Sequence, residues 1–127
     1  MKKYMDLIRE ILLLIESKEN INEYFDSNSI EIEGYSQDEI TYHIRLLFKE
    51  NYIKAIDASS FDGESYLINS LTWDGHEFLD KIRNDNTWNK TKDIMKEKGL
   101  PFTLGMIKQI TNVIVNKVTE ETLKGIM

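Results

Sequence analysis

At 127 residues, 30% of them charged and 41% hydrophobic, the chain suits one folded domain with an appendage and is too short for two independent domains of ordinary size. The absence of cysteine excludes disulfides, thiolate metal sites and cysteine nucleophiles. The net charge of −6 is uneven, −7 over residues 1–71 against +1 over residues 72–127, and an acidic amino-terminal half argues against tight generic DNA binding, which draws its affinity from Lys and Arg.

Taken in chain order, the apolar run Ile11 to Ile15 is too short, and too closely preceded by Asp6, Arg9 and Glu10, for a secretory signal. No segment approaches the roughly 20 apolar residues of a membrane span, so a cytoplasmic location with no membrane partner is expected. Ile8, Ile11, Leu12 and Ile15, widened by Leu7 and Leu14, predict a helix from Tyr4 to Lys18 at the centre of the core. Glu19 to Asn28, polar apart from Ile21, Tyr24 and Phe25, reads as a loop or irregular turn. Ser29 to Glu33 alternates apolar and polar residues and predicts a short edge strand ending at Gly34.

Ser36, with Glu39 three residues later, forms a capping-box pattern opening a helix to Asn51. Its buried face would be Ile40, Ile44, Leu47 and Phe48, leaving Asp38, Thr41, Tyr42, Arg45 and Lys49 for a partner. Tyr52 to Ala58 and Ser65 to Leu71 predict strands around an Asp62-Gly63 turn. Thr72 caps a third helix with Phe78, Leu79 and Ile82 inward, fraying at Asn84-Asp85-Asn86. Asn86 or Thr87 restarts a helix through Trp88 to Lys98, closed by Gly99 and Pro101. Thr103 caps a last helix from Leu104 toward Lys124, whose apolar residues cover more than one face. Residues 104–124 would therefore meet both their own domain and a second subunit in a homodimer. Trp73 and Trp88 are expected to be buried where the C-terminal helices meet the preceding core.

This order predicts an α+β fold: a winged helix-turn-helix-like domain over residues 1–85 and a C-terminal helical extension over residues 86–127, packing on it or mediating dimerisation.

Motifs for chemistry are sparse. Glu39 and His43 lie four apart on a helix and could share a metal, but two ligands do not make a site. His76 and Glu77 open a helix, where polar side chains satisfy free backbone groups. There is no glycine-rich phosphate loop, no Gly-x-Ser-x-Gly elbow and no paired acidic motif, so no enzyme, cofactor or metal is expected. The stripe with Thr41, Arg45 and Lys49 could read base edges. Against that, Asp38 and Glu39 at the helix start, with Asp57, Asp62 and Glu64 near the hairpin tip, would repel phosphate. A protein partner suits Asp38, Thr41, Tyr42, Arg45, Lys49, Asp62 and Glu64 better. Lys90, Lys92, Lys96 and Lys98, near Lys81, Arg83 and Trp88, are the most basic local stretch. They could contact a DNA backbone, although an amphipathic helix of mixed charge explains them more simply.

Ile32-Glu33-Gly34-Tyr35, Ile40-Thr41-Tyr42-His43-Ile44 with Leu47, Leu71-Thr72-Trp73-Asp74-Gly75-His76-Glu77-Phe78-Leu79, Ile82-Arg83-Asn84-Asp85 and Trp88-Asn89-Lys90-Thr91-Lys92 together resemble the family catalogued as domain of unknown function 2513. That is a set of short bacterial and phage proteins similar in layout to the YjcQ-like winged-helix proteins. The resemblance runs to about Lys98. It implies a winged-helix-like fold and frequent carriage on prophages and plasmids, and it brings no catalytic residue. Two functions are expected from this: a non-enzymatic interaction or regulatory module of a mobile element that binds a nucleic-acid-handling protein, or a DNA-binding transcriptional regulator reading with helix 36–51.

Overall fold

The computed structural model describes residues 1–20 and 22–126; Ile21, in the expected loop, and Met127, at the end of the expected extension, lie outside them. The fold is α+β, with five α-helices and one three-stranded antiparallel sheet among the described residues. It divides into two compact units, residues 1–79 and 80–127, the boundary falling inside the third helix.

In the first unit, α1 (Met5–Ser17) buries Leu7, Ile8, Ile11, Leu12 and Ile15 completely, as its helical spacing predicts. It packs on α2 and on the middle strand of the sheet. The order is β1-β3-β2, from β1 (Phe25–Asp26), β2 (Ile53–Asp57) and β3 (Tyr66–Leu71). Ile53 pairs with Leu71 and Asp57 with Tyr66, with an irregularity between Lys54 and Ala55. Ile68 of β3 lies against Phe25 of β1 and is fully buried, joining Ile40, Ile44 and Leu47 in the core.

The expected strand at Ser29 to Glu33 does not form; β1 lies earlier, in the segment expected to be a loop. Local side-chain hydrogen bonds outcompete pairing there. The Asp26 carboxylate accepts from the Asn28 N–H, and Ser29 Oγ donates to the Asp26 carbonyl, closing a 3-10 turn at Ser27–Ser29. Ser27 Oγ then accepts from the Tyr66 N–H. Ile30 still reaches the core, without a ladder to hold it.

α2 (Gln37–Lys49) starts with the expected capping box: Ser36 N–H donates to Glu39 Oε1 at 2.9 Å and Glu39 N–H to Ser36 Oγ at 3.1 Å. It ends two residues short of Asn51. Asn51 takes the left-handed conformation at φ 62°, and Tyr52 N–H donates back to the Leu47 carbonyl, which closes the helix as a Schellman motif. α3 (Trp73–Ile82) opens on Thr72, whose Oγ1 accepts from the Gly75 N–H.

Trp73 corrects the expectation of burial: it is 77% exposed. The rotation of α3 is decided by Gly75, which sits against the Tyr52 carbonyl so closely that no side chain fits. That seating turns Gly75, Phe78 and Leu79 inward and leaves Trp73 with Glu77 and Asp80 on the exposed side.

In the second unit, α4 (Asp85–Glu97) begins earlier than the Asn86 or Thr87 restart. Asn84, expected to fray, caps it by accepting from the Thr87 N–H. α4 buries Trp88, Thr91 and Met95, and Gly99 at φ 61° ends it with the Leu100 N–H donating to the Met95 carbonyl. α5 (Leu104–Ile126) opens on Thr103, packs on α4 and buries Ile107, Thr111 and Ile114, while Val113, Val118, Leu123 and Ile126 are exposed. No helix among the described residues is long and apolar enough to cross a membrane.

Candidate functional site

The outer face of α2 and the tip of the β2–β3 hairpin enclose a groove of about 450 Å³. Its lining includes Asp38, Thr41, Tyr42, Arg45, Asp62 and Glu64, six of the seven residues singled out for a partner. Lys49 lies outside that lining and is exposed. Helical spacing sets the four α2 residues on one side. The hairpin brings Asp62 and Glu64 across to them.

Arg45 is the residue whose role changes most. Its guanidinium grips Glu64 through two hydrogen bonds, Nε to Oε2 at 2.6 Å and Nη2 to Oε1 at 2.5 Å. The Tyr66 hydroxyl donates to the same Oε2 at 2.6 Å, and the Tyr42 ring centre lies 5.4 Å from the guanidinium. The Arg45 hydrogen bonds hold the Glu64 carboxyl below the usual carboxylate range and raise the guanidinium's own affinity for its proton. Burial, then Glu64, pushes the Tyr66 hydroxyl up. Arg45 is therefore not the open fork a guanine edge would need.

Thr41, expected on the accessible stripe, is only 7% exposed, and its Oγ1 accepts from Gln37 Nε2 at 3.3 Å. With Arg45 cancelled by Glu64, the exposed Asp38 and Asp62 give the groove a negative character. Phe61, beside Asp62 at the tip, is fully exposed. Its sequence signal, an aromatic residue inside a Ser-Phe-Asp-Gly turn, went unused. The role of Tyr66 was also missed, although Glu64 and Tyr66 stand two apart entering a strand and so share a face.

His43 is fully buried beneath this face. Nδ1 lies 2.7 Å from the Glu39 carbonyl oxygen and Nε2 accepts from the Tyr4 N–H at 2.8 Å. A carbonyl can only accept, so Nδ1 carries the proton and the ring is neutral. Burial holds the pKa below its ordinary value. Both nitrogens are engaged and the Glu39 carboxylate serves the capping box, so this pair presents no open metal position. No group of three metal-ligating side chains occurs among the described residues. His76 Nε2 lies 3.2 Å from Glu19 Oε1, whose other work is to accept the Leu71 N–H. On α4, Lys92 and Lys96 share a side at i, i+4 spacing while Lys90 projects elsewhere and Lys98 is the C-cap, so the four do not form one patch. Lys92 lies over the Trp88 ring, 5.9 Å from its centre.

The family model described as hypothetical protein (DUF2513) matches residues 2–101, the first unit from its second residue onward and α4. The chain belongs to the DUF2513 family. An uncharacterized protein of Haemophilus influenzae is 40% identical over 117 residues, covering 92% of this chain and 98% of that one. The similarity to that protein thus extends into α5, beyond the family model. No solved structure matches.

Proposed function

We propose that the chain is a winged-helix-like, non-enzymatic regulatory module whose groove docks a basic segment of a protein partner, of the kind found in nucleic-acid-handling proteins. The order α1, α2, hairpin, α3 supports the winged-helix reading, with α2 in the place of a recognition helix and the β2–β3 tip as the wing. The observation that carries the docking reading is the Arg45–Glu64 pair: the arginine that would meet a base edge is consumed internally, Lys49 lies outside the groove, and Asp38 and Asp62 are left exposed. A phosphate backbone meets repulsion on such a surface, while lysine or arginine side chains meet complementary charge. A mobile-element origin, as the family resemblance implies, suits a small module that occupies the nucleic-acid site of another protein.

The test is an anisotropy titration of two labelled probes, an arginine-rich peptide and mixed-sequence duplex DNA, at low and moderate salt. The expected result is peptide binding that weakens about tenfold or more in the Asp38→Lys/Asp62→Lys variant, with no DNA binding by the unmodified chain. DNA binding that falls steeply with salt and is lost on Arg45→Ala would replace this reading with the transcriptional-regulator one.

A further inference from the structure

The chain's own first residue forms part of the groove's wall. Met1 lines it beside Asp38, Asp62 and Glu64, and two exposed lysines follow, Lys2 with its Nζ over the Tyr4 ring at 5.5 Å and then Lys3. A short basic stretch thus lies next to an acidic wall, which is the charge relation proposed for an external partner. What anchors it is the hydrogen bond from the Tyr4 N–H to His43 Nε2 at 2.8 Å, deep to the surface. The Tyr4 ring adds contacts, with the His43 ring stacked at 6.0 Å between centres and the Tyr35 ring edge-on at 5.4 Å.

We infer that residues 1–3 are an autoinhibitory strap over the groove, latched by His43 through Tyr4, and that protonation of His43 releases it. The inference rests on the reading of the groove as a docking surface. The chemistry of the latch is a change of sign at one atom. Neutral His43 donates from Nδ1 to the Glu39 carbonyl and accepts at Nε2. A proton taken from water onto Nε2 turns that atom into a donor facing the Tyr4 N–H, and two donors cannot bond.

The titratable groups around the ring are the Tyr4 hydroxyl from the strap side, Tyr35 from the preceding loop, and Glu39 and Tyr42 from α2. Burial, and then the nearby Glu39 charge, raise the pKa of the Tyr4 hydroxyl, while the Glu39 carboxylate accepts from the Ser36 N–H in the capping box. Of these groups only Glu39 is charged at neutral pH, and its pKa is lowered, first by the Ser36 N–H. Burial depresses the His43 pKa, which places release on the acid side of the ordinary histidine range.

The experiment is amide NMR on the whole chain from pH 7.5 downward until the His43 ring signals have titrated, together with binding of the labelled arginine-rich peptide, for the unmodified chain and for His43→Phe. Phenylalanine keeps the ring volume and removes the acceptor. In the unmodified chain, acidification should raise Tyr4 amide exchange, corrected for intrinsic rate, by about tenfold or more. The signals of Asp38, Asp62 and Gly63 should move with it, and the peptide should bind tighter by about tenfold if the strap is seated roughly nine-tenths of the time. His43→Phe should show these properties already at pH 7.5 and no further step.

Freed Tyr4 with unmoved Asp38 and Gly63 signals would overturn the strap. Groove signals that move together with Tyr4, but without peptide binding in any state, would uphold the strap and remove the docking reading. Should His43→Phe fail to fold, the pH series is decided by Lys2→Ala/Lys3→Ala, which should bind peptide at pH 7.5 as the acidified chain does. Equal affinity to the unmodified chain at pH 7.5 would again overturn the strap.

Discussion

On α2, Ile40, Ile44 and Leu47 form an unbroken buried row under the groove, whereas on α5 the row Ile107, Thr111, Ile114 gives out before Val118, which is exposed. The lengths explain the difference: 13 residues of α4 span about 20 Å and 23 residues of α5 about 35 Å, so α4 cannot cover the far end. The groove's side chains therefore stand on a helix fixed by packing at one face, a capping box at one end and a Schellman motif at the other. The far half of α5 rests mainly on its own propensity, which is marginal in water. A surface of the first kind can hold a binding geometry before a partner arrives. One of the second kind gains order only if something covers it.

The sharpest way to break this contrast is to truncate matched apolar residues. Ile44→Ala should lower unfolding stability by about 2–5 kcal/mol in denaturant titration. Val118→Ala should change it by less than about 0.5 kcal/mol. A large loss at Val118 would mean the far half of α5 is covered in solution, as the expected homodimer requires.

Glycines give a second pair. A methyl group at Gly75 would meet the Tyr52 carbonyl oxygen at 2.0 Å, while one at Gly125 would meet nothing within 4 Å. Gly75→Ala should cost about 2–3 kcal/mol, since backbone cannot yield as a side chain would. Gly125→Ala should raise stability by up to about 0.5 kcal/mol and increase helix content by circular dichroism.

The last effect is in pH. His43 has a folded pKa lowered from an ordinary value of 6.5, so below that value the unfolded chain binds the proton and the folded chain resists it. Stability should therefore fall as pH drops below about 6.5, by at most about 1.4 kcal/mol per pH unit, until the folded form titrates. Glu39 and Glu64 also have lowered folded pKa values. Their contribution is present above the ordinary carboxylate range and is lost as pH falls through it, a separate and more acidic step. His43→Phe should remove the first step and keep the second.

Much of the first unit was legible in its sequence because a single period governs each element: helical spacing in α1 and α2, a turn signal between two apolar runs in the hairpin. Ser29 to Glu33 misled because its alternation is real but Asp26 and Ser29 close a local turn through their side chains, and Ser27 Oγ takes the Tyr66 N–H of β3. Trp73 misled because the rotation of α3 depends on a glycine touching a carbonyl three residues past α2, a contact with no periodic trace. The groove's residue types could be read one by one. The Arg45–Glu64 pair could not, since it joins positions 19 apart whose meeting depends on the hairpin's register.

At the base of the hairpin, the Asn51 and Tyr52 carbonyls both accept from Thr72, and Gly75 fills the remaining space. No residue can be added or removed there without breaking two anchors at once. At the tip, Ser60 and Gly63 exchange two backbone hydrogen bonds, Ser60 Oγ accepts from the Asp62 N–H, and Phe61 projects into solvent. Insertions and deletions among related chains should gather between Ala58 and Ser65. Because that stretch is also one wall of the groove, the part of the fold most free to change its length is the part that would decide which segment fits.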